Sequence, residues 1–401
     1  MIKLYEKRNL PPDGVEEAKK RQKVIFSDEQ FFHHPINSFI MIFRLFDEMD
    51  DETMQLMTDG HPVPQGVDVR GAAQALLLTQ KIYRLETKDL VRGIIRTTDR
   101  QFSASDGLSE KECLSLGMEA LHAKYYQQAI EWLSETAKRQ HVMSEDVHGN
   151  IRLAMRLKEE AEREQYSNSY EESNSGRYEA LCAGRRGKKD SSLKCFYWPS
   201  ASAFLKLSHI KAEEISHEPM ILVFHDVLSE KEIEKLMLAK GKSHVKQETK
   251  LKDAEIRECF YSKEDGEVSS RVDRRIEQIT GLNTKTAGPF VFTDFGIGGY
   301  LAIHYDWLQM PNGDDRIATW IYYMTDVEAG GQTAFIEADT TVKPVKGSAV
   351  FWYNNYLNGE PDLSTLHGAC PVLFGQKLTV NRFVRQNGNQ FIRKCRLNFE
   401  D

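Results

Sequence analysis

Several absences narrow the class of this chain. No apolar stretch approaches the roughly 18 residues that cross a bilayer, so no membrane span is expected. No basic stripe dominates, since the formal net charge is −7 and the isoelectric point is about 6.0. That balance argues against a general nucleic-acid binder. The short basic cluster Arg185-Arg186-Gly187-Lys188-Lys189 reads as a solvated loop. The six cysteines include no Cys-x-x-Cys pair, so the chain carries no dithiol redox motif. Met1 to Gly14 holds no apolar core of a secretory signal, and Phe399-Glu400-Asp401 is no retention signal. A length of 401 residues leaves room for two or three domains and a sizeable core.

His304-Tyr305-Asp306 is the only His-x-Asp in the chain. Two histidines and one carboxylate hold non-haem Fe(II) on one face and leave the opposite positions open for O2 and a chelating co-substrate. On a β-strand, residues i and i+2 leave the same face, so His304 and Asp306 can share one ion. A third ligand must come from another strand, and His367 follows after several strand-like runs. Lys377, further on, supplies a cation that could anchor the far carboxylate of a metal-bound dicarboxylic acid. The plainer alternative is a surface His-Asp pair with an unrelated histidine, because this short pattern arises by chance.

Thr319 to Met324 and Ser348 to Tyr353 are β-branched and aromatic. Thr341 to Val345 precedes a turn at Lys346-Gly347, and Leu378 to Val384 partly alternates. Many short strands separated by Gly, Asn and Pro suggest a jelly-roll barrel, which encloses a ligand cavity. The metal pair is expected near the end of one strand, with His367 on a facing strand.

Longer words surround these residues. Phe-Gly-Ile-Gly-Gly (295–299) precedes the His-x-Asp pair, and Arg-Ile-Ala-Thr-Trp-Ile-Tyr-Tyr-Met-Thr-Asp-Val occupies 316–327. Gly-Gly-Gln-Thr-Ala-Phe (330–335), Lys-Gly-Ser-Ala-Val-Phe-Trp-Tyr-Asn (346–354) and His-Gly-Ala-Cys-Pro-Val-Leu-Phe-Gly-Gln-Lys (367–377) follow in order. The run from Phe292 to Phe391 thereby resembles the catalytic domain of collagen prolyl 4-hydroxylase alpha subunits. The resemblance implies Fe(II) on His304, Asp306 and His367, with 2-oxoglutarate chelating the metal. Its far carboxylate would reach Lys377, and Thr333 would contact the co-substrate. It also implies L-ascorbate (vitamin C) to restore the iron. The reaction would be hydroxylation of peptidyl proline at C4 with O2, giving succinate and CO2. Phe295 stands where the family usually has tyrosine and cannot donate that bond to 2-oxoglutarate. A lost hydrogen bond to a charged group costs about 1.5–3 kcal/mol, which weakens binding without abolishing it. Leu301 replaces the tyrosine of a Tyr-x-x-His entry, and Leu378 and Phe383 stand for tryptophans.

Upstream, Phe39 to Met49 and Ala72 to Leu85 carry helical apolar spacing, with Pro62, Pro64 and Gly66 breaking the stretch between them. His34-Pro35-Ile36-Asn37-Ser38-Phe39 resembles part of the same family's N-terminal dimerisation region, with less sequence before it than in that family. Ser109 to Gln140 reads as a helical hairpin. There Leu116-Gly117, Ala120, Tyr126 and Ala129 fall at tetratricopeptide offsets. This part resembles the family's peptide-substrate-binding domain, with Val147 to Glu164 as the remaining helix. Tyr125 and Tyr126 could line a groove for a proline-rich, collagen-like peptide in polyproline II form. For Tyr126 the alternative is plain repeat packing. Tyr166 to Gly176, rich in Ser, Asn and Glu, reads as a flexible linker.

The expected class is therefore α + β multidomain. A helical N-terminal part with a tetratricopeptide-like hairpin precedes a double-stranded β-helix (jelly-roll) catalytic domain. The divisions are 1–103 (dimerisation-like), 104–165 (peptide-binding), 166–215 (linker and disulfide loop) and 216–401 (catalytic). The resemblance implies disulfides Cys182–Cys195 and Cys370–Cys395, Cys113 and Cys259 as free thiols, and the lumen of the endoplasmic reticulum. Six reduced cysteines in a cytosolic protein are the alternative. The family also implies protein disulfide isomerase as second subunit. Two other readings stay open: a non-catalytic protein that holds proline-rich chains, and an oxygenase acting on a non-collagen protein.

Overall fold

The computed structural model describes residues 29–48, 64–139, 145–164, 170–185, 190–199, 203–242, 245–247, 257–261, 266–308 and 313–393. The chain divides into two compact units, Met1–Ser169 with Leu373–Gly375, and Tyr170–Val372 with Gln376–Asp401. No helix among the described residues is long and apolar enough to cross a membrane.

The first unit is helical. Its principal helices are α1 (Pro35–Glu48), α2 (Gly66–Tyr83), α3 (Glu110–His122), α4 (Tyr126–Arg139) and α5 (Glu145–Glu164). Gly66 opens α2 rather than breaking a helix, while Pro62 lies outside the described residues. Ile36 and Phe39 of α1 are fully buried. Ser109 caps α3 reciprocally: its hydroxyl accepts from Glu112 N, and Glu112 Oε2 accepts from Ser109 N at 2.6 Å. The same buried Glu112 receives Arg44 Nε at 2.8 Å, which ties α1 to α3. At Gly117 an added Cβ would sit 2.8 Å from Leu133 Cδ2, so α3 and α4 approach closely because that residue has no side chain.

The second unit opens with helix α6 (Tyr170–Cys182). A flexible linker was expected across 166–176. Residues 166–169 lie outside the described residues, and from Tyr170 the segment is helical. Its C-terminal half has an apolar surface to bury. Tyr178, Leu181 and Cys182 are buried, and Tyr178 Oη donates to the Ala369 carbonyl at 2.7 Å.

That contact also explains a second correction. Cys182 lies one turn beyond Tyr178 and bonds to Cys370, with Cα atoms 5.5 Å apart across a separation of 188 residues. The expected pairs Cys182–Cys195 and Cys370–Cys395 are therefore not formed. Cys195 is an exposed free thiol, Cys113 is a buried free thiol, and Cys395 lies outside the described residues.

A nine-stranded antiparallel sheet forms the centre of this unit. Its strands in chain order are β1 (Cys195–Tyr197), β2 (Lys211–Ser216), β3 (Ile221–His225), β4 (Val245–Gln247), β5 (Arg257–Tyr261) and β6 (Phe290–Phe295). A four-stranded sheet contributes β7 (Leu301–His304), β9 (Thr333–Phe335), β10 (Thr340–Val342) and β12 (His367–Ala369). The large sheet is completed by β8 (Arg316–Tyr323), β11 (Ala349–Tyr353) and β13 (Lys377–Arg385). The spatial orders are β1-β2-β3-β11-β8-β13-β6-β5-β4 and β10-β9-β12-β7.

Period-two alternation gives the large sheet two apolar faces. In β8, Trp320 and Tyr322 pack with Val272, Ile276 and Ile279 of helix α8 (Glu267–Thr280) and Leu236 of α7 (Glu230–Lys242). Tyr323 points the other way and joins Trp352, Val350 and Val223 against Phe335 and Val342 of the small sheet. Both faces of β8 are buried, which accounts for its nearly unbroken apolar text.

Candidate active site

β7 and β12 are antiparallel neighbours in the small sheet, and His304 stands directly opposite His367. The expectation of a facing strand is thus corrected to an adjacent one. Asp306 lies beyond the end of β7 rather than on it, at a bend two residues past His304. One nitrogen of each histidine and one oxygen of Asp306 come within 4.8 Å of one another. His304 Nε2 is 3.4 Å from Asp306 Oδ1, and His367 Nε2 is 3.7 Å from Oδ2.

The surroundings orient these groups. His304 Nδ1 lies 2.8 Å from the Ala302 carbonyl, and His367 Nδ1 lies 2.9 Å from that of Thr365. A carbonyl can only accept, so each Nδ1 carries a proton, and in the neutral form of each ring Nε2 presents a lone pair. Trp352 packs edge-on against the His367 ring, and Phe335 stacks on it. Burial, with His304 beside it, pushes His367 down to about 4. Burial alone would raise the Asp306 carboxyl, but His367 and His304 hold it well below the usual carboxylate range. Burial works against a charge on His304, but Asp306 beside it raises its pKa, so a bound ion would take the place of that imidazole's second proton. Two imidazoles beside one carboxylate, all with fixed orientation, suit a divalent ion that takes N and O ligands.

Lys377, the first residue of β13, is 2 % exposed. Its ammonium lies 4.7 Å from the Phe295 ring centroid and 5.9 Å from that of Tyr323. No carboxylate among the described residues pairs with it, and burial pushes the amine down to about 7. A buried cation without a counter-ion is costly, and an anionic ligand would offset that cost. Thr333, on β9, is buried and shares a 2.9 Å hydrogen bond with the Tyr323 hydroxyl. Phe295 pairs directly with Lys377 across β6 and β13, so the ring that lacks a hydroxyl gives the ammonium an aromatic face instead. Leu301 packs with Phe295, Val327, Ala369 and Val372.

Tyr125 and Tyr126 belong to the helical unit. Tyr126 is the first residue of α4, both rings are half-buried, and Lys81 Nζ lies 5.7 Å from the Tyr125 ring. Sequence reasoning passed over one neighbour of the triad. Thr319 donates to Asp306 Oδ2 at 2.7 Å. A threonine within a β-branched run reads as strand former, and only the folded chain, which brings Asp306 against β8, reveals the contact.

The fold and the donor set define a 2-oxoglutarate- and Fe(II)-dependent oxygenase, and the model of the 2OG-Fe(II) oxygenase superfamily matches residues 290–385. The model of the prolyl 4-hydroxylase alpha-subunit N-terminal region matches residues 4–97. Similar proteins include prolyl 4-hydroxylase subunit alpha-2 of Gallus gallus, 30% identical over 92% of this chain and 85% of that protein. Subunit alpha-1 of Rattus norvegicus is also 30% identical, over the same shares of each chain. The chain belongs to the prolyl 4-hydroxylase alpha-subunit family. Among solved structures, the viral collagen prolyl hydroxylase of Paramecium Bursaria Chlorella virus-1, in its 2OG complex, is 21% identical. It matches with a TM-score of 0.36 and covers 41% of this chain and 95% of that one.

Proposed function

We propose that this chain is a peptidyl-proline 4-hydroxylase acting on collagen-like, proline-rich chains. Its sheet-rich unit would be a double-stranded β-helix and its helical unit a tetratricopeptide-like peptide-binding module. The observation that carries the reading is the buried amine of Lys377, without a carboxylate partner among the described residues, in the same unit as a two-histidine, one-carboxylate cluster. A dicarboxylic co-substrate satisfies both features with one molecule: one end chelates an ion and the other meets the cation.

His304, Asp306 and His367 would hold Fe(II), while Lys377 and Thr333 would receive the far carboxylate of 2-oxoglutarate. Bound iron and co-substrate supply the oxidising equivalents that place one O2 oxygen on proline, with succinate and CO2 as co-products. The chain's own part is positioning. Carbonyl-locked imidazoles keep the ligand lone pairs aimed at one point, and Trp352 and Phe335 wall His367 from water. Tyr125 and Tyr126 would hold the extended peptide. Reaction in the lumen of the endoplasmic reticulum, with ascorbate and protein disulfide isomerase, follows from the family and agrees with the disulfide.

The deciding experiment measures 2-oxoglutarate decarboxylation with and without a Pro-Pro-Gly peptide, then the peptide's mass. Peptide-stimulated turnover with one oxygen gained on proline is expected. Metal binding without turnover would leave a peptide-holding protein, and turnover without proline oxidation would redirect the search to another side chain.

A further inference from the structure

The Asp306 carboxylate has two oxygens, and a divalent ion can take either one or both. The difference matters in a site of this kind. Two imidazoles and one carboxylate oxygen leave three coordination positions open, enough for a bidentate keto acid and O2. A carboxylate that chelates through both oxygens removes one of them.

Thr319 and Asn354 bear on this choice. Both are fully buried. Thr319 Oγ1 lies 2.7 Å from Asp306 Oδ2, and a carboxylate only accepts, so the hydroxyl proton is directed there. Asn354 Nδ2 lies 3.0 Å from Thr319 Oγ1 and 3.1 Å from the carbonyl of Arg316. A carbonyl also only accepts, so the amide nitrogen faces both atoms and donates one hydrogen to each. The hydroxyl thus receives one hydrogen bond and gives its own to Oδ2. The relay runs in one direction, Asn354 to Thr319 to Asp306. It starts just past β11 and crosses to β8, whose residue Thr319 pairs with Trp352.

We propose that Thr319 and Asn354 are positioning residues that occupy Asp306 Oδ2 and leave Oδ1 as the single metal-binding oxygen, keeping the third coordination position open. This rests on the iron-triad reading above. The hydroxyl contributes twice: it fixes the rotation of the carboxylate, and by occupying one lone pair of the second oxygen it makes that oxygen the poorer donor to the ion.

The test compares Thr319→Val, which keeps shape but loses the hydroxyl, with Thr319→Ser, which keeps the hydroxyl, and with Asn354→Ala. Mn(II) affinity of the metal-free protein is measured by calorimetry, and apo melting temperature serves as the control for folding. Outer partners of metal ligands are worth about 10- to 100-fold in affinity. The valine variant should bind Mn(II) weaker by that factor, with the serine variant within about threefold of wild type. The apparent 2-oxoglutarate requirement should rise in valine and recover in serine. Equal affinity of valine and wild type overturns the proposal, as does a serine variant as weak as valine, since packing would then be the cause. If valine does not fold, Asn354→Ala decides: an unchanged Mn(II) affinity there rejects the relay. Wild-type protein that binds no Mn(II) at all rejects the triad itself, a separate failure.

Discussion

His304 and His367 face each other across a single pair of antiparallel strands, their ring centroids 4.4 Å apart. Register alone therefore brings two of the three candidate ligands together, and a slip by one residue would turn one imidazole to the opposite face.

Replacing His304, Asp306 or His367 by alanine should abolish iron-dependent turnover while the fold survives. His304 is about one-third exposed, so its removal should cost the least stability. Iron content after anaerobic loading, alongside circular dichroism, checks this. A variant that keeps wild-type iron and activity would remove that residue from the triad.

Lys377→Ala should raise the 2-oxoglutarate requirement strongly, and Lys377→Arg less, because the charge persists. Burial also gives a pH signature. The amine falls from 10.5 to about 7 in the folded, ligand-free protein. Between those values the unfolded chain binds the extra proton and the folded one does not, so stability rises with pH across that window. Below about pH 7 both states are charged and the burial cost is felt in full. A bound carboxylate restores the charge, so 2-oxoglutarate should bring a proton with it near pH 8 and none well below pH 7. Calorimetry in two buffers of different ionisation heat reads this directly; equal heats at pH 8 would count against the anchor.

Reduction, or Cys182→Ser, should destabilise the sheet-rich unit. A loop of 188 residues gives a chain-entropy contribution on the order of 5 kcal/mol. Non-reducing digests should yield the peptide pair 182–370. Recovery of 182–195 instead would reject this connectivity.

Gly117→Ala should cost about 1–3 kcal/mol, because its methyl would lie 2.8 Å from Leu133 Cδ2 and 3.1 Å from Leu133 N. Peptide-stimulated decarboxylation should suffer more than the uncoupled reaction. An equal loss of both rates would show that the helical unit does not serve the peptide.

The pair His304 and Asp306 was legible as a candidate from its short spacing and His367 from the words around it, and the structure brings the three groups together. The strands around them were legible because β8 and β11 are mostly β-branched and aromatic. Lys377 stood out from the words around it, but its burial and its lack of an acidic partner among the described residues belong to the folded state. The disulfide was not legible. Which cysteine meets Cys182 depends on where α6 docks, and that docking is set by Tyr178 and Ala369, far apart in the chain. Helix α6 was hidden by its Ser- and Asn-rich start, since few of its residues are buried.

The Cys182–Cys370 bond has a mechanical consequence. His304, Asp306, Thr319, Thr333 and His367 all lie inside the covalent ring that it closes, and Lys377 lies outside. Tension applied to the two ends of the chain passes through the sulfur bridge and bypasses the whole ring. A protease cut anywhere within it leaves the two fragments joined. The candidate ligands are thus shielded from force together and stay on covalently joined fragments after a single cut, and reduction of one bond removes both protections at once.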